Sequence, residues 1–239
     1  MAKGTRFLMI CLCIIIAYTD LFAQDLNSND SLKRRIVDFS IYSGVSITNF
    51  IGETSEFIKL IKNSTGLNLD EKWRMVVPVG ISTNFNITSW FSMKSGIVFA
   101  PKGIKYHDQV TIGYDDYGID LLLKLQYLEI PTLIELSTGN KRKANLYING
   151  GISPSFVINS KIVTVVWIID STPSSSDQDT NKEDWNDVNK FELDYIIGCG
   201  IKGKVTFVGF QYEKGFKTVS SSGWDFRNQA LTFILGFYF

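Results

Sequence analysis

Eight ionisable side chains stand inside segments that otherwise read as apolar strand: Lys94, Lys102, Glu129, Glu135, Glu192, Asp194, Lys202 and Glu213. Lys94 and Lys102 share their parity with Ser92 and Gly96, and Glu192, Asp194 and Lys202 share theirs with Gly198 and Gly200, each set opposing large apolar residues, so the charges collect on one side of a sheet. Mixed charges on one face could relay protons, bind a charged ligand, or pair among themselves as a structural network. Pairing is the expected use, because a charge withdrawn from water persists only with a partner. His107, the single histidine, could serve a Ser-His-acid acyl hydrolase. No serine is tied to it by spacing, so an ordinary exposed histidine is expected. Asp177-Gln-Asp-Thr-Asn181 opens like a calcium loop, but the sixth position is Lys182 and the twelfth Val188, where Gly and Glu are needed. No catalytic residue, cofactor or metal site is assigned, and the chain reads as a non-enzyme.

The elements that must position those charges are strands. Period-two patterning runs over residues 37–48, 75–86, 90–102, 121–136, 144–158, 191–203, 205–213 and 228–239. Each is of the order of ten residues, the length a tilted membrane strand needs. Long connections (residues 49–74, 103–120, 159–190 and 214–227) alternate with short ones (87–89, 137–143 and 203–204). That rhythm predicts an all-β fold: an eight-stranded antiparallel up-and-down transmembrane β-barrel with long extracellular loops and both termini periplasmic. Parity sets Phe91, Met93, Ile97 and Phe99 toward lipid in the third strand, opposite Lys94 and Lys102. Ser43 and Ser95 break the rule on the lipid side, as do Leu133, Phe207 and Ile234 on the lumenal side. Lys124 and Gln126 take lipid parity and so must lie near the outer interface. Eight strands leave an interior only just filled by side chains, which predicts a plugged lumen rather than a pore.

The closing segment Leu231-Thr-Phe-Ile-Leu-Gly-Phe-Tyr-Phe239 puts Phe233, Leu235, Phe237 and Phe239 on one greasy stripe, read as the C-terminal insertion signal for the barrel-assembly machinery. Aromatic girdles are expected at Trp90, Phe91, Phe237 and Phe239 on the periplasmic side, and at Phe50, Phe156 and Trp224 on the outer side. At the other end, Lys3 and Arg6 precede an apolar run over residues 7–17 and a small-residue site at Phe22-Ala23-Gln24. This reads as a signal peptide over 1–23, then a short periplasmic segment over 24–35 and the barrel domain over 36–239. Removing 1–23 takes Lys3, Arg6 and Asp20 from 24 basic and 24 acidic residues, leaving 22 and 23. Such a balance provides no field for nucleic acid. Cys199 is then left without a disulfide partner and is expected to pack as a small apolar residue.

Tyr127-Leu-Glu-Ile-Pro131 resembles the PorT-like outer-membrane β-barrel family common in Bacteroidetes. Pro78-Val-Gly80, Ser95-Gly-Ile-Val-Phe99 with Lys102-Gly103, Gly150-Gly151, Gly198-Cys-Gly200 and Phe210-Gln-Tyr-Glu-Lys-Gly215 follow the same pattern in the same order. The resemblance implies an eight-stranded barrel in the outer membrane. The founding member is associated with type IX secretion, a role not carried across to this chain; from the family at large comes an accessory role in secretion or envelope assembly. Glu129 of the motif faces the lumen, and Pro131 removes a ladder donor near the periplasmic end.

Outer-membrane lipid and lipopolysaccharide are the expected surroundings. Lys161-Ile-Val-Thr-Val-Val-Trp-Ile-Ile169 is strongly β-prone and predicts that the fifth strand runs on beyond the membrane, returning near residues 187–190. The hairpin from Asn159 to Lys190 then offers an edge to a protein partner, with residues 171–189 as a solvated tip. Residues 56–61 have helical spacing and predict a short helix over the mouth. Tyr114-Asp-Asp-Tyr117 could take sugar or peptide, or be an ordinary loop tip. Two other functions compete: a lipid-modifying acyl hydrolase or transferase of the outer membrane, and a soluble periplasmic carrier barrel of lipocalin type.

Overall fold

Alternation of apolar and small polar residues makes each segment a strand with two unlike faces. Closing the sheet on itself satisfies every edge. The computed structural model describes residues 36–53, 69–112, 115–138, 144–169, 178–221 and 225–239, with positions 56, 59, 62 and 63. The expected signal peptide and the segment over 24–35 lie outside the described residues.

Among the described residues there are eleven strands: β1 (Val37–Gly52), β2 (Asp70–Val76), β3 (Val79–Asn86), β4 (Phe91–Ile112), β5 (Asp115–Glu129), β6 (Thr132–Ser137), β7 (Asn145–Ile169), β8 (Gln178–Asp184), β9 (Phe191–Lys202), β10 (Thr206–Gly215) and β11 (Phe226–Tyr238). They fill eight positions in an antiparallel ring, in the order β1, β2 with β3, β4, β5 with β6, β7, β9, β10, β11. The ring closes where β11 pairs with β1, from Ser40 opposite Tyr238 to Gly52 opposite Phe226. β8 stands outside it and pairs with β7.

Two wall positions are broken by proline, which has no N–H to give the ladder. β2 and β3 part at Val77-Pro78, where the Pro78 carbonyl instead accepts from Gly44 N at 3.2 Å and Ser43 Oγ at 2.9 Å. The latter bond explains how Ser43 tolerates its outward parity. β5 and β6 part at Ile130-Pro131, the Leu-Glu-Ile-Pro element, and Ile130 N is satisfied by the Pro154 carbonyl at 2.9 Å.

Parity reads as the alternation requires. Ile81, Phe85, Met93, Ile97, Ile148, Ile197, Phe210 and Leu231 are exposed on the outside, whereas Ser40, Ser82, Asn149, Ser153 and Ser155 are buried within. A cylinder with an apolar exterior of this extent needs a bilayer around it. Leu133, Phe207 and Ile234 are buried in the lumen despite being apolar.

Several expectations are corrected. Of residues 103–120, expected as a loop, 103–112 and 115–120 are strand: β4 and β5 stay paired from Gly103 opposite Lys124 up to Ile112 opposite Asp115. Beyond lipid, water tolerates polar residues on both faces, so period-two hydrophobicity fades while the hydrogen-bond ladder continues. β4 and β7 have 22 and 25 residues, about twice what the hydrocarbon requires. The fifth strand is extended as expected, but its return is β8, earlier than residues 187–190 and inside the stretch expected to be a solvated tip. A bulge between Gln126 and Tyr127 of the ladder marks where β7 leaves the barrel wall. Gly103 adopts φ 139°, and a Cβ there would strike the Leu123 backbone and crowd Arg74 Nη1, so glycine is required. Positions 56, 59, 62 and 63 are helical; the rest of that loop lies outside the described residues, as do Tyr114, Trp224 and the 170–177 tip with Asp177.

Candidate functional site

The lumen is built in layers. Nearest the short turns, Lys202 forms an ion pair with Glu135, and Ser92 Oγ lies 3.4 Å from the same carboxylate. Lys94, 5% exposed, has no ion-pair partner among the described residues. Its ammonium lies 5.0 Å from the Tyr42 ring centroid and 4.5 Å from that of Phe207. Such rings hold a cation by their quadrupoles where no carboxylate reaches. Phe207 also packs on Tyr238, with ring centroids 5.0 Å apart.

In the next layer one ammonium serves three acids. Lys102 Nζ stands 2.7 Å from Glu129 Oε1, 3.0 Å from Asp194 Oδ2 and 2.8 Å from Glu213 Oε1. Four wall positions (β4, β5, β9 and β10) are tied together at that point. Ser155 Oγ donates to Asp194 at 2.8 Å from the β7 wall. The three acidic groups lie close enough together to suggest a metal site, with ligand atoms within 4.8 Å of one another. The Lys102 ammonium fills that place instead, and the cluster acts as an internal salt cage.

Above the cage, Tyr127 OH donates to Glu192 Oε1 at 2.6 Å, and Asn228 Nδ2 donates to Glu192 Oε2 at 2.7 Å and to Tyr127 OH at 2.8 Å. Tyr127 and Asn228 were not singled out from sequence, although Tyr127 shares the lumenal parity of Glu129. Higher still the filling turns apolar: Phe50, Ile104, Tyr106, Leu123, Val188, Val219 and Phe226 are buried together, with Trp185 packed against them. Phe50, expected in the outer girdle, is 1% exposed and stacks on Phe226. Its parity is lumenal, and it fills the mouth.

The outer mouth is closed by two connections that bind each other. Val188 bridges Ser220, Asn189 N donates to the Val219 carbonyl at 2.8 Å, and Asn189 Nδ2 donates to the carbonyls of Thr218 (2.8 Å) and Ser220 (3.0 Å). Below them, a cavity lined by Lys94, Lys102, Glu129 and Glu213 has about 40 Å³. That is room for a few waters at most.

On the outside, Phe233, Leu235, Phe237 and Phe239 share the outward parity of β11, with Phe237 and Phe239 exposed. Cys199 is exposed on that face rather than packed within the protein. Trp90 and Phe91 pack at the short-turn end. At the opposite end Phe156 with Phe191, and Tyr195 with Tyr212 and Phe216, form aromatic groups on the β7, β9 and β10 walls. His107 is not an ordinary exposed histidine. Its Nδ1 lies 2.8 Å from Asp120 Oδ1, and its ring stacks on Trp167 with centroids 5.8 Å apart. Lys105 Nζ reaches the other Asp120 oxygen at 2.5 Å. Asp120 is the one side chain hydrogen-bonded to His107 among the described residues, and no serine among them completes a triad there.

A closed antiparallel cylinder, apolar outside and packed with paired charge inside, defines an outer-membrane barrel. The chain belongs to the family described as outer membrane protein beta-barrel domain, whose model matches residues 22–221, and it resides in the bacterial outer membrane. Among solved structures, it is similar to Ail, the attachment invasion locus protein of Yersinia pestis, at 12% identity over 84% of this chain and 98% of Ail, with a TM-score of 0.40. Neisserial surface protein A shows 7% identity over 84% of this chain and 97% of its own, with a TM-score of 0.36. OprG from Pseudomonas aeruginosa shows 10% identity over 84% and 95%, with a TM-score of 0.30. No curated protein matches the chain significantly.

Proposed function

We propose that this protein is a non-enzymatic barrel that uses the membrane as a mount for an outward sheet, which serves structure or interaction in secretion or envelope assembly. The observation that carries the reading is a contrast in filling. The lumen is filled by the Lys102 cage, the apolar layer and the joined connections, and the cavity of about 40 Å³ left among the described residues speaks against transport through it. Meanwhile β2, β4, β5, β7 and β8 continue outward as a sheet whose β8 edge pairs with no further strand among the described residues. β8 reads Gln-Asp-Thr-Asn-Lys-Glu-Asp, and such charge on an edge discourages indiscriminate strand pairing. A partner strand must therefore complement it, which is a route to specificity.

The finer assignments belong to the same reading. The PorT-like branch is supported by the Leu-Glu-Ile-Pro element, and a signal peptide over 1–23 by the charged start and apolar run. Periplasmic termini and insertion through Phe233, Leu235, Phe237 and Phe239 fit the even count of wall strands.

The test is photocrosslinking on intact cells from Thr180 and Asn181 on β8, with Ile197 on the lipid face as control. A discrete protein adduct from β8 and none from Ile197 is the expected result. No adduct from β8, together with a lipid A mass spectrum altered by deleting the gene, would replace this reading with the lipid-modifying enzyme.

A further inference from the structure

The outward sheet carries an unusual accumulation of cations on its outer, lipid-parity face. Antiparallel partners share a face, and Lys72 stands directly opposite Lys105, and Lys124 directly opposite Lys161. Lys182 lies in the next row beside Val163, and the Arg74 guanidinium sits against Gly103, the cross-strand neighbour of Lys124. Like charges placed directly opposite on a sheet destabilise it.

Acids on this face do not cancel the set. Asp120 is taken by Lys105 and His107, Asp70 stands opposite His107, and Asp184 stands opposite Lys161 without an ion pair. Among the described residues Lys72, Lys124, Lys161 and Lys182 have no carboxylate within ion-pair distance.

Depth identifies what would meet them. Among the described residues, Phe99 on β4, Leu128 on β5 and Ile158 on β7 are the outermost exposed large apolar side chains of those strands, and the cations Lys105, Lys124 and Lys161 stand six, four and three residues beyond them. They therefore stand at the headgroup level of the outer leaflet. The five strands from β2 to β8 span four spacings, about 19 Å at about 4.8 Å each. Just beyond the Lys124–Lys161 row is a groove of about 380 Å³ lined by Lys105, Leu122, Lys124, Val163, Val165 and Trp167, with Asp120, whose charge is met by Lys105, as its one acid. The other side of the rim is different, with the aromatic groups around Phe156 and Tyr195 at this height.

We infer that the outer face of β2, β4, β5, β7 and β8 is a binding site for a phosphorylated glycolipid of the outer leaflet. Phosphate groups lie against Arg74, Lys124, Lys161 and Lys182, and sugar rests in the groove over Leu122, Val163 and Trp167. The charge complementarity and the continuity with the membrane both point to lipid as the source, since basic pockets at a bilayer surface hold anionic headgroups.

The full chain, reconstituted in phosphatidylcholine nanodiscs containing diphosphorylated lipid A, tests this by native mass spectrometry. K124Q/K161Q/K182Q is expected to lower retained lipid A by roughly tenfold or more. Its intact barrel is checked by the mobility difference between heated and unheated gels. Enzymatically dephosphorylated lipid A should be retained no better than phosphatidylcholine, and millimolar inorganic phosphate should not displace the phosphorylated form. Equal retention by the folded variant and the unaltered protein overturns the site. Displacement by free phosphate, or equal retention of dephosphorylated lipid, overturns the lipid phosphate as its ligand.

Discussion

Lys102 and Lys124 begin one register step apart on adjacent strands, with Lys102 opposite Leu125 and Gly103 opposite Lys124. Yet their environments are opposite. The first turns into the lumen, is 1% exposed and holds three carboxylates within 3.0 Å. The second turns outward beside Arg74, Lys161 and Lys182 and has no carboxylate partner among the described residues. A dry interior demands compensation, by carboxylates at Lys102 and by the faces of Tyr42 and Phe207 at Lys94, since a charge with neither is too costly to keep there. At a wet interface repulsion is screened and small, so a protein can hold like charges together for an external anion. Unpaired cations are informative outside the barrel, and paired ones inside it are mostly architecture.

The widest gap between the two regions should appear in stability. K102M leaves Glu129, Asp194 and Glu213 buried without their cation and is expected to cost about 3–5 kcal/mol. The loss would be read as a shifted urea midpoint in tryptophan fluorescence with the barrel in lipid. E213Q, which removes one of three mutually repelling carboxylates, should cost far less; equal losses for the two would mean that the cage is not centred on Lys102. Next in size, Y127F removes the donor to Glu192 and an acceptor for Asn228, at an expected cost of about 1–3 kcal/mol by the same measurement. The smallest effect belongs to the outer face. K124Q/K161Q is expected to change stability by no more than about 0.5 kcal/mol in phosphatidylcholine alone, and toward higher stability, because a directly opposed like pair is removed. A large loss there would show that these lysines are structural and erase the contrast.

Much of the barrel was legible because a wall strand must alternate between lipid and lumen. That constraint marks residues such as Ile97 and Ile197 as outward, and Glu129 and Asp194 as inward. It lapses where the strands leave the bilayer, so residues 103–120 read as a loop although β4 and β5 continue there as a ladder. Phe50 misled for a related reason: an aromatic near a strand end suits either a girdle or a plug, and only the closure of the mouth over Trp185 and Phe226 decides. His107 likewise needed β5 and β7 beside it before Asp120 and Trp167 could reach it.

From the order of its residues alone, this chain dictates how many times it crosses the sheet, which side chains meet lipid and which charges must find partners. Those properties follow from the local two-residue period and the energy of burial. Which charges pair, that Lys102 serves three acids while Lys94 rests on aromatic rings, and that separate lysines converge on one outer face are decided by strand register. Register is set by closure of the ring, which brings together residues far apart in the sequence and has no local signal along it.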